Sequence, residues 1–212
     1  MQVKTWLQRL TDGSNLWFNA VKSEDEGSFE RAISYYMQDA LQCMRDRSLV
    51  RAALSCSCAA NCLANIGAWS PARTLYSEAA SLYVENSEVA ITKSIREALW
   101  CLREAFENYV LAGDSTAETV RQRYIKFAGR ISPFSREVQA SEELESRRRE
   151  LVNRDLKRKE ASIPEGLVID IENFVETRKS LPVLTSSFDP GYVMRSINLS
   201  GGSKLDEKSI AS

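Results

Sequence analysis

Between residue 15 and about residue 131 the apolar positions recur at intervals of three and four, the period of helices with one buried face. Phe29, Ala32, Ile33, Tyr36, Met37, Ala40 and Met44 form such a stripe, with Ser28 placed to cap it. Leu49–Ile66 is so rich in Ala, Ser and Cys that its apolar residues run most of the way round, which predicts a helix covered on more than one side. Its polar residues Arg51, Ser55, Asn61 and Asn65 fall near one narrow strip. Ser70 and Pro71 then read as a helix start, with Leu75, Tyr76, Ala79, Leu82 and Tyr83 facing inward. A break is expected at Asn86-Ser87, followed by a helix over Glu88–Leu111 and another over Thr116–Ile131 that Pro133 stops. Residues 2–10 place Val3, Trp6, Leu7 and Leu10 on a further helical face, and Ser14 can cap the helix after it. Nothing before Pro133 alternates with period two, so no sheet is expected. The pattern predicts an all-α body of antiparallel helical hairpins joined by short turns.

Beyond Ser132 the pattern thins. Glu142–Glu160 carries seven positive and six negative residues, with Leu144 and Leu151 one heptad apart as a narrow seam against the body or a partner. After Pro164 the island GLVIDIENFVE reads as a docking helix or an added strand, and the remainder is rich in Pro, Gly and Ser. The expected organisation is a helical body over 1–133, a charged helix over 134–161, and a mostly irregular tail over 162–212 containing that docking segment.

Composition removes several functions. The chain has 212 residues, a formal charge of −1 and no histidine. Without histidine there is no Ser-His-Asp or Cys-His catalysis and no mixed Cys/His zinc site. The charge balance argues against a general binder of nucleic acid or anionic membrane, although Arg147–Arg149 and Lys157–Lys159 form local basic clusters. Five cysteines, an odd number, sit in segments that read as helical core, and no secretory leader precedes them. Reduced thiols in a cytoplasmic protein are the expectation.

Two corners repeat. Gly27, Phe29, Ala32 and Tyr36 match Gly67, Trp69, Ala72 and Tyr76 in type and spacing. Gly permits the turn, the aromatic plugs the elbow, Ala admits a close helix contact and Tyr fills the groove one turn later. This pattern resembles the tetratricopeptide (TPR) family over roughly residues 15–128. A third corner at Gly113-Asp114 has Tyr109 before it but Glu118 where the small residue belongs. The Gly-to-Gly spacings of 40 and 46 exceed the family's ~34, so the helices are longer than in a standard repeat. The resemblance implies that the first helix of each pair lines a surface for a partner helix or peptide. Carried over by position, that surface holds Ser57, Asn61 and Asn65, then Trp100, Arg103 and Glu107. The Lys/Asn/Arg set that grips a C-terminal carboxylate in chaperone-binding members is not reproduced.

Cys56, Cys58 and Cys62 invite a metal reading, but Cys56 lies about 200° round a helix from Cys58, so the three thiols cannot converge. The Ala-rich hairpin over Ala52–Ile66 is also similar to helical proteins of the HEPN type, whose ribonuclease motif requires a histidine this chain lacks. Glu78, Glu85, Glu97 and Glu104 lack the histidine partners of a bundle di-metal site. The expectation is a non-enzymatic adaptor or assembly subunit with no cofactor and no metal, binding a protein partner. Leu167, Ile171 and Phe174 are its second contact, folding onto the body or onto the partner. The alternative is a nucleic-acid-associated accessory protein using residues 147–159.

Overall fold

The structure, a computed structural model, describes residues 15–131, 136–155 and 160–181, all within one compact unit. The helix expected over residues 2–10, the Ser14 cap, Pro133, the cluster Lys157–Lys159 and the tail beyond Leu181 lie outside the described residues. Among the described residues there are eight α-helices and no strand. They are α1 Leu16–Asp25, α2 Phe29–Arg45, α3 Leu49–Asn65, α4 Trp69–Ala90, α5 Ile95–Ala112, α6 Thr116–Ile131, α7 Arg136–Asp155 and α8 Glu165–Ser180.

Four corners share one device. After α1, α2, α3 and α5 a residue enters the left-handed region: Gly27 at φ 72°, Arg47 at φ 58°, Gly67 at φ 84° and Gly113 at φ 71°. At each, the amide of that residue and the next reach back to the last turn, as in Gly67 N to Ala64 O at 3.1 Å and Ala68 N to Leu63 O at 2.9 Å. These paired bonds satisfy carbonyls that the helix end would otherwise orphan. Arg47 does the same without glycine's freedom, through Arg47 N to Met44 O at 3.0 Å and Ser48 N to Cys43 O at 2.8 Å.

The break expected at Asn86-Ser87 is not there. Helix α4 continues to Ala90 and the chain turns at Ile91–Ser94. Ser87 stays helical by donating its hydroxyl to Val84 O at 2.7 Å, and it is buried. The start signal of the next helix lies further on: Ser94 Oγ accepts from Glu97 N at 3.3 Å. Ser94-x-x-Glu97 is a capping pair, and it outweighs the weak breaking tendency of Asn and Ser inside a packed helix. The cap expected at Ser70 also differs: α4 begins after Ala68, with Pro71 still in its first turn. Asn15 opens α1, accepting from Phe18 N at 3.2 Å.

Consecutive helices pack in order from α1 to α7, and α3 is enclosed by α2 and α4. Its Ala52, Ala53, Cys56, Ala59, Ala60, Cys62 and Leu63 are fully buried, as the small-residue pattern requires for close helix approach. Helix α7 lies against α5 and α6, burying Leu144 and Leu151, the two heptad-spaced leucines. The island after Pro164 is helix α8, which lies against α2 and α4 with Leu167, Ile171, Phe174 and Arg178 buried.

Candidate protein-interaction surface

Side chains link alternate helices. The Arg51 guanidinium of α3 stands 5.5 Å from the ring centre of Trp17 on α1, a cation–π distance. Trp17 in turn meets Tyr36 of α2 edge-on, with centroids 5.3 Å apart. On α3, Ser57 Oγ lies 2.9 Å from Asn108 Oδ1 of α5 and donates to it, while Asn108 Nδ2 donates to Glu104 O at 2.8 Å. Helices α1, α3 and α5 are therefore tied to one another as well as to their chain neighbours.

Beneath these ties sits a buried acid. Asp39 on α2 is 6 % exposed and accepts from Ser55 Oγ at 2.6 Å, from Arg51 Nη2 at 3.1 Å and from Arg51 Nε at 3.3 Å. Ser55 is fully buried, so it does not belong to the polar strip of α3 expected from sequence. Leu54 takes that place, 43 % exposed, three residues after Arg51 and seven before Asn61.

The residues assigned to a binding surface fall in three environments. On α3, Asn61 and Asn65 are exposed, although Asn61 accepts from Tyr76 OH at 2.6 Å; Ser57 is half-buried and engaged with Asn108. On α5, Trp100 is 39 % exposed and meets Tyr83 edge-on at 5.6 Å. One and two turns further on, Arg103 and Glu107 face α7: Arg103 lies 4.0 Å from Glu143, and Glu107 pairs with Arg147 at 3.0 Å. A cleft of about 470 Å³ opens among these four residues, Ser146 and Glu150. On α8, Leu167, Ile171 and Phe174 are buried in the chain's own fold.

The basic cluster of α7 is engaged. Arg147 also pairs with Glu150 at 3.0 Å, and Arg148 lies 3.6 Å from Glu118 and 6.0 Å from the ring centre of Phe106. Arg149 Nε donates to Glu145 O at 3.4 Å.

The cysteines are reduced and unreactive in character. Cys43, Cys56, Cys62 and Cys101 are buried and Cys58 is half-buried. Burial pushes the Cys43 and Cys58 thiols up to about 11 and the Cys62 thiol up to about 12, with the Asp39 charge adding to Cys43 and the Glu24 charge to Cys58 and Cys62. Tyr36, which donates to Glu24 Oε2 at 2.8 Å, is likewise held protonated, chiefly by burial. Such thiols are poor nucleophiles and poor metal ligands.

Sequence reasoning did not single out Phe18, Leu54, Asp39 or Arg178. For Leu54 the signal was its place on the polar strip. For Asp39 it was an acid embedded in an apolar stripe between Tyr36 and Cys43. Among the described residues no helix is long and apolar enough to cross a membrane. No family model, no curated protein and no solved structure matches this chain.

Proposed function

We propose that the chain is a non-enzymatic protein-interaction scaffold of the TPR-like helical-hairpin kind, a cytoplasmic adaptor or accessory subunit that buries a partner helix or extended segment against α1, α3 and α5. One observation carries this reading. Among residues 15–129 the exposed large apolar side chains are Phe18, Leu54 and Trp100, one on each of these three helices and none on α2 or α4. Exposed aromatic and aliphatic anchors flanked by amides, here Asn61 and Asn65, suit a site where one hot-spot residue supplies most of the affinity. The cross-links Trp17–Arg51 and Ser57–Asn108 support the pairing of first helices that the family resemblance implies. Nucleic-acid binding is the weaker reading, because Arg147 and Arg148 are already neutralised by Glu107, Glu150, Glu118 and Glu145.

Affinity capture from native extract with wild-type and Trp100→Ala chains tests the proposal. A partner retained by the wild type and lost at least tenfold by the variant, with unchanged circular dichroism, supports it. Equal capture by both chains would sink it.

A further inference from the structure

Helix α8 carries three apolar anchors and a cation at a fixed interval. Leu167, Ile171, Phe174 and Arg178 follow one another by four, three and four residues, a single stripe, and all four are buried. The cation ends between two acids of α4. Arg178 Nη2 contacts Glu85 Oε1, and Arg178 Nε stands 3.9 Å from Glu78 Oε2. Glu78 and Glu85, two turns apart on α4, are themselves largely buried, with side chains 20 % and 13 % exposed.

That geometry leaves the groove dependent on a supplied positive charge. Burial pushes the Glu78 carboxyl up, and the Arg178 guanidinium and Lys179 pull against that rise. Two buried groups of other elements face this place and are held protonated by burial: Cys56 of α3, beside Glu78 and Arg178, and Tyr109 of α5, near Asp114, Glu78 and Glu85. Two buried carboxylates without a counter-ion are costly, so the site selects a helix bearing a cation. The fit of the present occupant is incomplete. Arg178 Nε is buried and has no hydrogen-bond partner, and 3.9 Å to Glu78 is an ion-pair distance rather than a bond. The segment leading into α8 is tied to the body by two bonds: Glu160 accepts from Ser70 N at 3.0 Å, and Ala161 N donates to Gly67 O at 2.9 Å. On α8 itself Val168 and Ile169 are exposed, at 38 % and 49 %.

We infer that the groove between α2 and α4 is a docking site for an amphipathic helix with apolar residues at 0, +4 and +7 and a guanidinium at +11, and that α8 is the occupant the chain keeps there until such a helix displaces it. This rests on the reading of the chain as a helix-binding scaffold, but it concerns a face separate from Trp100. The occupant is a helix of a different protein with that pattern, because Glu78 and Glu85 define the required charge. A tethered occupant competes at high effective concentration, so an incoming helix binds the resting chain weakly and the released chain strongly.

The test uses the full-length chain and a labelled synthetic peptide of residues 163–181. Arg178→Glu places a third carboxylate beside Glu78 and Glu85 and releases α8 while leaving the groove intact. The variant is expected to take up the peptide at least tenfold more tightly than the wild type, by fluorescence anisotropy. A peptide carrying R178E is expected to bind neither chain. Glu78→Gln with Glu85→Gln in the released chain should make the two peptides bind alike. Hydrogen exchange on the wild type gives an independent reading that survives if the variant misfolds: amides of α8 should exchange ahead of those of α3. Peptide exclusion by a folded R178E chain, exchange of α8 only with the whole body, or dimers formed by trading α8 between copies would each overturn the inference. Peptide uptake unchanged by Trp100→Ala would separate this groove from the α1, α3 and α5 surface.

Discussion

Asp39 of α2 accepts a 2.6 Å hydrogen bond from Ser55 of α3, in a place where Asp39 is 6 % exposed and Ser55 is fully buried. An acid so placed is kept by the groups around it: the Arg51 guanidinium supplies two further bonds and the counter-charge. Asp39→Ala removes that acceptor, and the Ser55 hydroxyl keeps only its bond to Arg51 O at 3.0 Å. The expected loss is roughly 1.5–3 kcal/mol, the range for hydrogen bonds to a charged group. Chemical denaturation checks it; a loss below about 0.5 kcal/mol, the level of an ordinary surface substitution, would show the network to be dispensable.

Ser94→Ala should cost about 1 kcal/mol, the usual value of an N-cap. The same substitution at Ser48, which makes no side-chain cap bond, should cost measurably less. Urea midpoints of the two variants give the comparison, and equal losses would contradict the capping assignment.

Arg47→Gly should stabilise the protein. Arg47 sits at φ 58°, where a residue with a Cβ is strained and glycine is not. Relief of about 1–2 kcal/mol of left-handed strain, offset by glycine's entropy cost of about 0.5–1 kcal/mol, leaves an expected gain of about 0.5–1 kcal/mol, less whatever the Arg47 side chain contributes. Gly67→Ala, at φ 84°, should lose stability by a similar or larger amount. Opposite signs at these two corners, measured by thermal melting, are the outcome required.

Alkaline pH should unfold the chain through its thiols. A cysteine ionises near 9.0 when unfolded, but Cys43 and Cys58 are held protonated to about 11 and Cys62 to about 12. The folded state therefore binds protons that the unfolded state has released. Below pH 9.0 this stabilisation is fully present, and it is lost as pH rises through the folded values of about 11 to 12. Denaturation at neutral pH and at pH about 11 should show the fall, and replacing Cys43, Cys58 and Cys62 by Ala should reduce it. A remainder is expected, because burial also raises Cys56, Cys101, Tyr36, Tyr83, Tyr109 and Tyr124.

The helices were legible because their apolar residues keep strict intervals, and Gly27 and Gly67 marked two corners by residue type alone. What misled was competition between local signals. Asn86-Ser87 looks like punctuation, yet packing around Ser87 carries α4 past it, and the capping pair at Ser94 sets the real boundary. In α3 the apolar residues surround the axis, so residue type alone does not separate Leu54, on the surface, from Leu63, in the core; only Leu54's place beside Arg51, Asn61 and Asn65 does. For α8 the stripe Leu167, Ile171, Phe174 was visible, but the surface beneath it was not. That surface is assembled from α2 and α4, which lie far apart in the chain.

The corners at residues 27, 47 and 67 also impose a length standard. They fall twenty residues apart, and α2 and α3 each have 17 residues. One residue added within either helix would advance every later side chain by about 100°. Leu54 would leave the surface or Cys56 the core, and the next left-handed corner would miss its carbonyls. The turn at Ile91–Ser94 has no left-handed residue, and Thr92 and Lys93 point outward. Insertions should therefore be tolerated better there than inside α2 and α3, where added length shifts every later contact.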